Sequence, residues 1–240
     1  MQTVERTLVV LAAVASRSEA ISLADLAEST ELSLSTVHRY SSALVELGYL
    51  RRGADKRFTL GARGVALGAG AIDPEAIASR VQQVLQDLRS ATGETSFASQ
   101  LAGYEPICVA MERGTNPLQL SVRVGQTIPP LHAASARAIL AFSEEDIVDK
   151  AFANASGVDA EPLDFKRLLE QIRNRGFDIC DSEFDEGVWA VAAPVLSGRT
   201  SELFGSITVA GSQVAFASAA RRDEVIQLVL AASRSLSGYS

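Results

Sequence analysis

The sequence predicts an α+β chain in two parts: a small N-terminal winged helix-turn-helix, then a larger domain built around an antiparallel sheet. Three observations carry that prediction. Three helical segments separated by short turns, then a basic hairpin, fill the first sixty residues. Beyond residue 94, short apolar runs come in groups with helical segments between them. The charge divides the same way: residues 1–63 hold eight Lys/Arg against seven Asp/Glu, and the remaining 177 hold 14 against 22. The net charge of −7 therefore hides a locally basic module, with six basic and two acidic side chains in residues 35–63. That asymmetry is expected when only one part of a chain meets phosphate.

Val4, Leu8, Leu11 and Val14 recur at helical spacing and predict a first helix over 3–16. Ser22 caps the second, with Asp25 in its first turn and Leu23, Leu26 and Ala27 on one face; it stops near Ser29–Thr30. The third opens at Ser33-Leu34-Ser35-Thr36 and runs to about Leu47. Val37, Tyr40, Leu44 and Leu47 form its buried stripe, and Gly48 ends it. Ser35, Thr36, His38, Arg39 and Ser42 stand off that stripe. With Ser33, they put short hydroxyls at a helix start, where such groups reach phosphates or base edges, and the Arg39 fork matches a guanine or a phosphate. Tyr49–Arg52 and Arg57–Leu60 alternate in strand fashion around Gly53–Lys56. This hairpin would lie beside the third helix as a wing, with Arg51, Arg52, Lys56 and Arg57 on the sugar-phosphate backbone or in the minor groove.

An Ala- and Gly-rich stretch follows, ending at Asp73-Pro74. Asp73 as cap and Pro74 at the first helical position open a helix whose stripe is Ile77, Val81, Val84, Leu85 and Leu88. Strands are predicted at 95–101, 106–112 and 118–124, helices at 133–142, 144–153 and 164–175, and strands again at 177–183, 188–196 and 203–210. Arg221–Leu236 closes the chain as a helix. Alternation along 188–196 places Val188, Ala190 and Ala192 on one face and Trp189 and Val191 on the other; Thr208 and Ala210 share a face in the last strand.

Composition excludes several classes. Cys108, Cys180, His38 and His132 are spaced like no zinc motif, and two cysteines in 25.4 kDa make no disulfide framework. No metal and no cofactor is expected. No apolar run approaches the roughly 18 residues of a membrane span, and the N-terminus lacks the pattern of a secretion signal, so a cytoplasmic protein is expected. There is no phosphate-binding Gly-rich loop with Lys-Ser/Thr, no His-Glu-x-x-His and no Gly-x-Ser-x-Gly. His132, Ser135 and Asp181 or Glu183 could be arranged on paper as a triad, but any chain of this size offers such a trio. Cys108, inside Ile107-Cys108-Val109, reads as core filler. No catalytic residue is assigned. The rival reading from another class is a small-molecule-binding or enzymatic α+β domain behind a protein-interaction module. A small-molecule site needs apolar walls and a few placed donors. The loop Gly125–His132, which includes Ile128, feeds a helix start where free backbone N–H groups and the Ser135 hydroxyl suit a carboxylate.

The ordered set Val4-Glu5-Arg6, Ser22–Ala27, Ser35–Arg39, Leu47–Leu50, Phe58–Gly61, Ala91–Thr95, Arg113-Gly114, Leu120–Gly125, Gly176-Phe177 and Ala192–Val195 resembles the IclR family of bacterial transcription regulators over the whole chain. The chain departs from the family at the recognition helix, with Ser33 and Leu34 where Pro and a basic residue are usual. The resemblance implies a DNA-binding domain over 1–62, a helical linker over 63–73, and a GAF- or PAS-like effector-binding and oligomerisation domain over 74–240. It implies a double-stranded DNA operator read by a homodimer, tetramers as dimers of dimers, and a small organic-acid effector. Pocket positions carry over to Cys180, Val188, Ala190, Thr208 and Ala210, and to Ser135 and Ala136, where Ser135-Ala136-Arg137 stands in place of a small-Gly-Lys/Arg segment. Because Cys180, Ala190 and Ala210 stand where polar residues are often found, the expected effector is a larger or aromatic acid; separately, a repressor is expected ahead of an activator.

Overall fold

In the computed structural model, residues 2–17, 19–69, 77–115, 120, 122–155, 161–197 and 202–237 are described. The chain divides into two units, Met1–Pro74 and Glu75–Ser240. In the first, α1 (Gln2–Ala15), α2 (Leu23–Thr30) and α3 (Leu34–Glu46) surround a core of Val10, Val14, Ile21, Leu26, Val37, Tyr40 and Leu44. Both inner helices start where the sequence supplies a hydroxyl cap. The Asp25 N–H donates to Ser22 Oγ at 3.2 Å, and the Thr36 N–H donates to Ser33 Oγ at 3.3 Å. Gly48 takes φ 78 after α3, a left-handed conformation that costs little only without a Cβ. The antiparallel hairpin β1 (Leu50–Arg52) and β2 (Phe58–Leu60) closes the core with Leu50 and Phe58. Ile21, just before α2, exchanges two backbone hydrogen bonds with Phe58 (3.0 and 2.8 Å) and so stitches the wing to the helices. A Cβ on Gly61 would lie 2.4 Å from the Gly48 carbonyl, so the chain leaves the hairpin through glycine and enters α4 (Ala62–Ala69).

Two expected stripes are corrected here. Val4 and Leu8 are 66% and 57% exposed, because α1 turns Val10 and Val14 inward instead. Leu47 is 52% exposed: α3 has already ended, and Leu50 from β1 fills the core in its place.

The second unit is a five-stranded antiparallel sheet in the order β4-β3-β7-β6-β5, with β3 (Thr95–Ala102), β4 (Glu105–Glu112), β5 (Asp178–Asp181), β6 (Val188–Leu196) and β7 (Leu203–Ser212). Helices cover both faces, so β6 is apolar throughout and its alternation sorts two cores. Trp189, Val191, Ala193 and Val195 face α5 (Ile77–Thr92) and α9 (Ala219–Ser237), with Leu85, Phe216 and Val229 among their neighbours. Val188, Ala190 and Ala192 face α6 (Ala134–Leu140) together with Phe97 and Ala136. A third cluster joins α6 to α7 (Glu145–Ala153) and α8 (Pro162–Arg175) through Leu140, Val148, Phe165 and Ile172. The predicted helix start at Asp73-Pro74 lies outside the described residues, and α5 begins at Ile77.

The strand expected at 118–124 is corrected within its described part. Leu120, Val122 and Arg123 are irregular, and Val124 lies in a turn. The outer edge of β4 is taken by the next segment instead: Gly125 N–H donates to the Cys108 carbonyl (2.7 Å), Cys108 N–H to Gln126 (3.1 Å) and Ile128 N–H to Pro106 (2.8 Å). The apolar residues that looked like a strand are spent on covering a cavity. The strand expected at 177–183 ends at Asp181, because Ser182 turns to φ 67.

One charge is buried in this unit. Arg137, in the otherwise small and apolar α6, is 3% exposed. Its Nε donates to Asp178 Oδ2 at 2.6 Å, its other nitrogens donate to the carbonyls of Leu131 (3.1 Å) and Ile179 (2.8 Å), and Glu183 completes the set. Asp178, 1% exposed, also accepts from Arg175. Burial alone would lower the guanidinium pKa, but the charges and hydrogen bonds of Asp178 and Glu183 outweigh it and hold the group above its ordinary value. A buried ion pair contributes little beyond what a well-packed apolar pair would, yet breaking one is costly because the remaining charge is stranded. Asp178→Ala leaves Arg137 and Arg175 without their shared carboxylate, and urea denaturation is expected to show a loss of about 3–5 kcal/mol.

Candidate DNA-reading surface and effector cavity

The first unit presents one face of α3 to solvent. Ser33, Ser35, His38, Arg39 and Ser42 are exposed and Thr36 is half-buried. The hydroxyls form a local network, with Ser33 Oγ 2.8 Å from Thr36 Oγ1 and 3.1 Å from Ser35 Oγ. The Arg39 guanidinium rests 4.8 Å from the Tyr40 ring centroid and donates to its phenol oxygen at 2.9 Å. Stacking on an aromatic face leaves the rest of the fork available to a planar acceptor. Arg51, Arg52, Lys56 and Arg57 are all exposed on the wing. The turn is organised from within: Gly53 N–H donates to the Arg57 carbonyl (2.8 Å), and Arg57 reaches back to the Ala20 carbonyl (3.1 Å) and lies 3.9 Å from Asp55. Of the six basic side chains between 35 and 63, Arg39 stands on α3, four stand on the hairpin whose Leu50 and Phe58 enter the helices' core, and Arg63 stands on α4.

The second unit gathers most of the expected pocket residues around one cavity. Ser135, Cys180, Val188, Ala190, Thr208 and Ala210 line it, drawn from α6, β5, β6 and β7. The register explains the grouping: Cys180 pairs with Ala190 and Ala190 with Ala210 across three strands, so all three side chains emerge on one face. Two expected residues do not line it. Ala136 is fully buried on the sheet side of α6, and Ile128 packs in the same apolar layer behind the wall. Phe97, Leu120, Val122, Ala133, Ala134, Phe184 and Asp185 complete the lining. Phe97 sits in a strand without alternation of apolar and polar residues, and Phe184 and Asp185 lie in a turn, so no periodicity marks any of the three.

The volume is about 30 Å³, space for a water or two and well short of the roughly 150 Å³ that accommodates a benzene ring. Its chemistry is unusual for a core. Ser135 Oγ and Thr208 Oγ1 are fully enclosed and find no hydrogen-bond partner among the described residues, a state they share with Ser99 Oγ and Trp189 Nε1, which do not line the cavity. Neighbouring Ser206 differs, since its hydroxyl donates to the Ser135 carbonyl at 3.1 Å. Leaving a buried hydroxyl unpaired costs about 1–3 kcal/mol, a cost that a ligand offering complementary polar atoms removes. Burial raises the Cys180 thiol pKa, so it stays a neutral sulfhydryl in the wall. Cys108, within β4, is pushed up to about 12 by burial and fills the core as expected.

The loop before α6 faces elsewhere. Thr127, Pro129, Pro130, Leu131 and His132 border a second cavity of about 250 Å³, with Tyr104, Glu105 and Asn154. It is larger, but each polar residue among these is exposed or half-buried. No triad exists among His132, Ser135 and the two acids: Ser135 Oγ is unpartnered, Asp181 is engaged with Gln213 and Arg222, and Glu183 is bonded to Arg137. Among the described residues no group of three or more His, Cys, Asp or Glu could hold a metal, and no helix is long and apolar enough to cross a membrane.

Comparison with known proteins extends these observations. Residues 3–54 match the IclR helix-turn-helix domain, and residues 69–238 match the bacterial transcriptional regulator IclR C-terminal domain. The transcriptional repressor IclR of Escherichia coli is 27% identical over 223 residues, covering 88% of this chain and 80% of that protein. The acetate operon repressor of Salmonella typhimurium is 26% identical over the same shares. An IclR-type regulator of Alicyclobacillus acidocaldarius superposes with a TM-score of 0.81 at 20% identity, over 100% of this chain and 99% of that one. An IclR homologue from Microbacterium hydrocarbonoxydans, solved with 4-hydroxybenzoate, superposes with a TM-score of 0.79 at 17% identity, over 98% and 97%. The relatives are transcription regulators, in keeping with the expectation of a non-enzyme. A helix-turn-helix joined to an effector-binding domain, matched along nearly its whole length, places the chain in the IclR family of bacterial transcriptional regulators.

Proposed function

We propose that this regulator is a cytoplasmic repressor that binds a palindromic operator as a homodimer, pairs into a dimer of dimers, and is controlled by a small organic acid with an aromatic body. The reading head is the exposed face of α3, with Ser33, Ser35, Thr36, His38, Arg39 and Ser42 towards base edges and phosphates. Arg51, Arg52, Lys56 and Arg57 of the wing follow the adjacent backbone. Repressor names among the relatives support the direction of control. Two-fold protein symmetry matches a palindromic site.

The observation that carries the effector reading is the pair of sealed, unpartnered hydroxyls, Ser135 and Thr208, inside a cavity otherwise walled by Phe97, Phe184, Val188 and Ala190. Aromatic and aliphatic walls suit a ring, and the hydroxyls suit its polar substituent. The 4-hydroxybenzoate bound by the Microbacterium relative is of that kind. The ligand must enlarge the cavity, so it binds an opened state and shifts the population towards it, which is the physical basis for coupling of about 1–3 kcal/mol to operator affinity.

Arg39→Ala is expected to weaken operator binding by about 1–3 kcal/mol at fixed salt, measured by fluorescence anisotropy, with no change in urea midpoint. The logarithm of affinity should fall linearly with the logarithm of salt with a slope of several units; a flat response removes the DNA-binding assignment. A thermal-shift series of small aromatic acids, beginning with 4-hydroxybenzoate, is expected to yield a stabilising ligand that also protects Cys180 from alkylation. Thr208→Val should weaken that ligand by about 1 kcal/mol. Stabilisation without protection of Cys180 would place the ligand elsewhere.

A further inference from the structure

We propose that the turn Ser182–Gly187 is a gate over the cavity and that the ion pair between Glu183 and Arg137 is its latch. The regulatory purpose of the gate rests on the effector reading above; the gate itself rests on geometry. The turn is defined at both ends. Ser182 and Gly187 take φ values of 67 and 73, Ser182 N–H donates to the Val188 carbonyl (2.8 Å), and Gly187 N–H donates to Ser182 Oγ (3.0 Å). Between these fixed points, Phe184 and Asp185 form part of the cavity wall. Most of the remaining wall cannot yield. Phe97, Cys180, Val188, Ala190, Thr208 and Ala210 are held in the ladder of the sheet, and α6 is pinned by Arg137. Admission of a ring into about 30 Å³ therefore falls to the segments outside the regular elements, and of these 182–187 carries the Glu183–Arg137 ion pair.

The two ends of that pair are unequal, as a latch requires. The Arg137 side chain is 4% exposed and the Glu183 side chain 46% exposed. When Glu183 leaves, Arg137 keeps Asp178 and the carbonyls of Leu131 and Ile179, so no charge is stranded in the core. When it leaves, Glu183 passes directly into water. Release is thus cheap relative to breaking the Arg137–Asp178 bond, and it frees the residue next to Phe184. A ligand that needs the open wall competes against this pair together with the backbone bonds of the turn, Val188 N–H to the Asp185 carbonyl (3.1 Å) and Gln213 N–H to the Gly187 carbonyl (2.8 Å), and Glu183 helps set how often the cavity is accessible.

Cys180 reports on the gate, because it lines the cavity and is 4% exposed, while fully buried Cys108 reports on general loosening. Alkylation of both cysteines in the full chain is followed peptide by peptide by mass spectrometry, together with amide hydrogen exchange over 182–188. In Glu183→Gln, both Cys180 alkylation and exchange across 182–188 are expected to accelerate about tenfold, with Cys108 and the urea midpoint unchanged. The amide readout is needed because the charges of Glu183, Arg137 and Asp185 lie near the Cys180 thiol, and removing one alters its ionisation as well as its access. Alkylation that rises without a rise in amide exchange, no change in either, acceleration of Cys108 in step, or loss of folding would each overturn the latch. If the gate behaves as expected but no organic acid protects Cys180 in the wild-type chain, the gate stands and the effector assignment falls.

Discussion

A single guanidinium buried between a helix and a sheet edge fixes the geometry of the sensing domain. Arg137 enters from α6, a helix otherwise made of Ala, Ser, Ile and Leu, and cannot remain in that apolar layer without a full set of acceptors. Asp178 at the start of β5 and two backbone carbonyls supply them, and the exposed Glu183 adds one more from the solvent side. The requirement works in both directions. It sets the distance of α6 from the sheet, and with it the position of Ser135 two residues earlier. It also orients β5, and with it Cys180. The cavity is what remains between two walls held by one charge.

The contents of that space follow from the sheet. Because helices cover both faces, β6 has no polar side, and each of its residues belongs to one core or the other. The Trp189 face is filled by Phe216 at 4.6 Å between ring centroids, and by α5 and α9. The Ala190 face meets small residues on both sides, alanines in the sheet and alanines in α6, and small side chains leave room. Into that room project two hydroxyls that the fold does not satisfy. A core under selection for stability alone would replace Ser135 and Thr208 with apolar residues of the same size. Ser99 Oγ and Trp189 Nε1 are buried without a partner as well, and what sets Ser135 and Thr208 apart is that they border the cavity.

The first unit solves a different problem. Its core is small, and it is closed by Leu50 and Phe58 from the hairpin as much as by the helices. Hairpin and α3 therefore share one hydrophobic core, which fixes the basic residues of the hairpin relative to Arg39. A flexible basic arm would deliver the same charge without that register.

Local order could be read from the sequence. Helix caps at Ser22 and Ser33, the stop at Gly48, the basic hairpin and the alternation of β6 and β7 all depend on neighbours within a few residues, and the pattern of the chain encodes them. Where the apolar pattern had two possible uses, the sequence did not choose. Leu47 and the run containing Leu120 and Val122 were assigned by periodicity to a stripe and a strand, and became an exposed cap and a cavity wall. The pairing of Arg137 with residues 41 and 46 positions away, the unpaired state of the Ser135 and Thr208 hydroxyls, and the place of Phe184 in the cavity wall were decided by tertiary structure alone. Satisfaction of a buried charge or hydroxyl depends on which distant groups the fold brings within about 3 Å, and no local pattern carries that information.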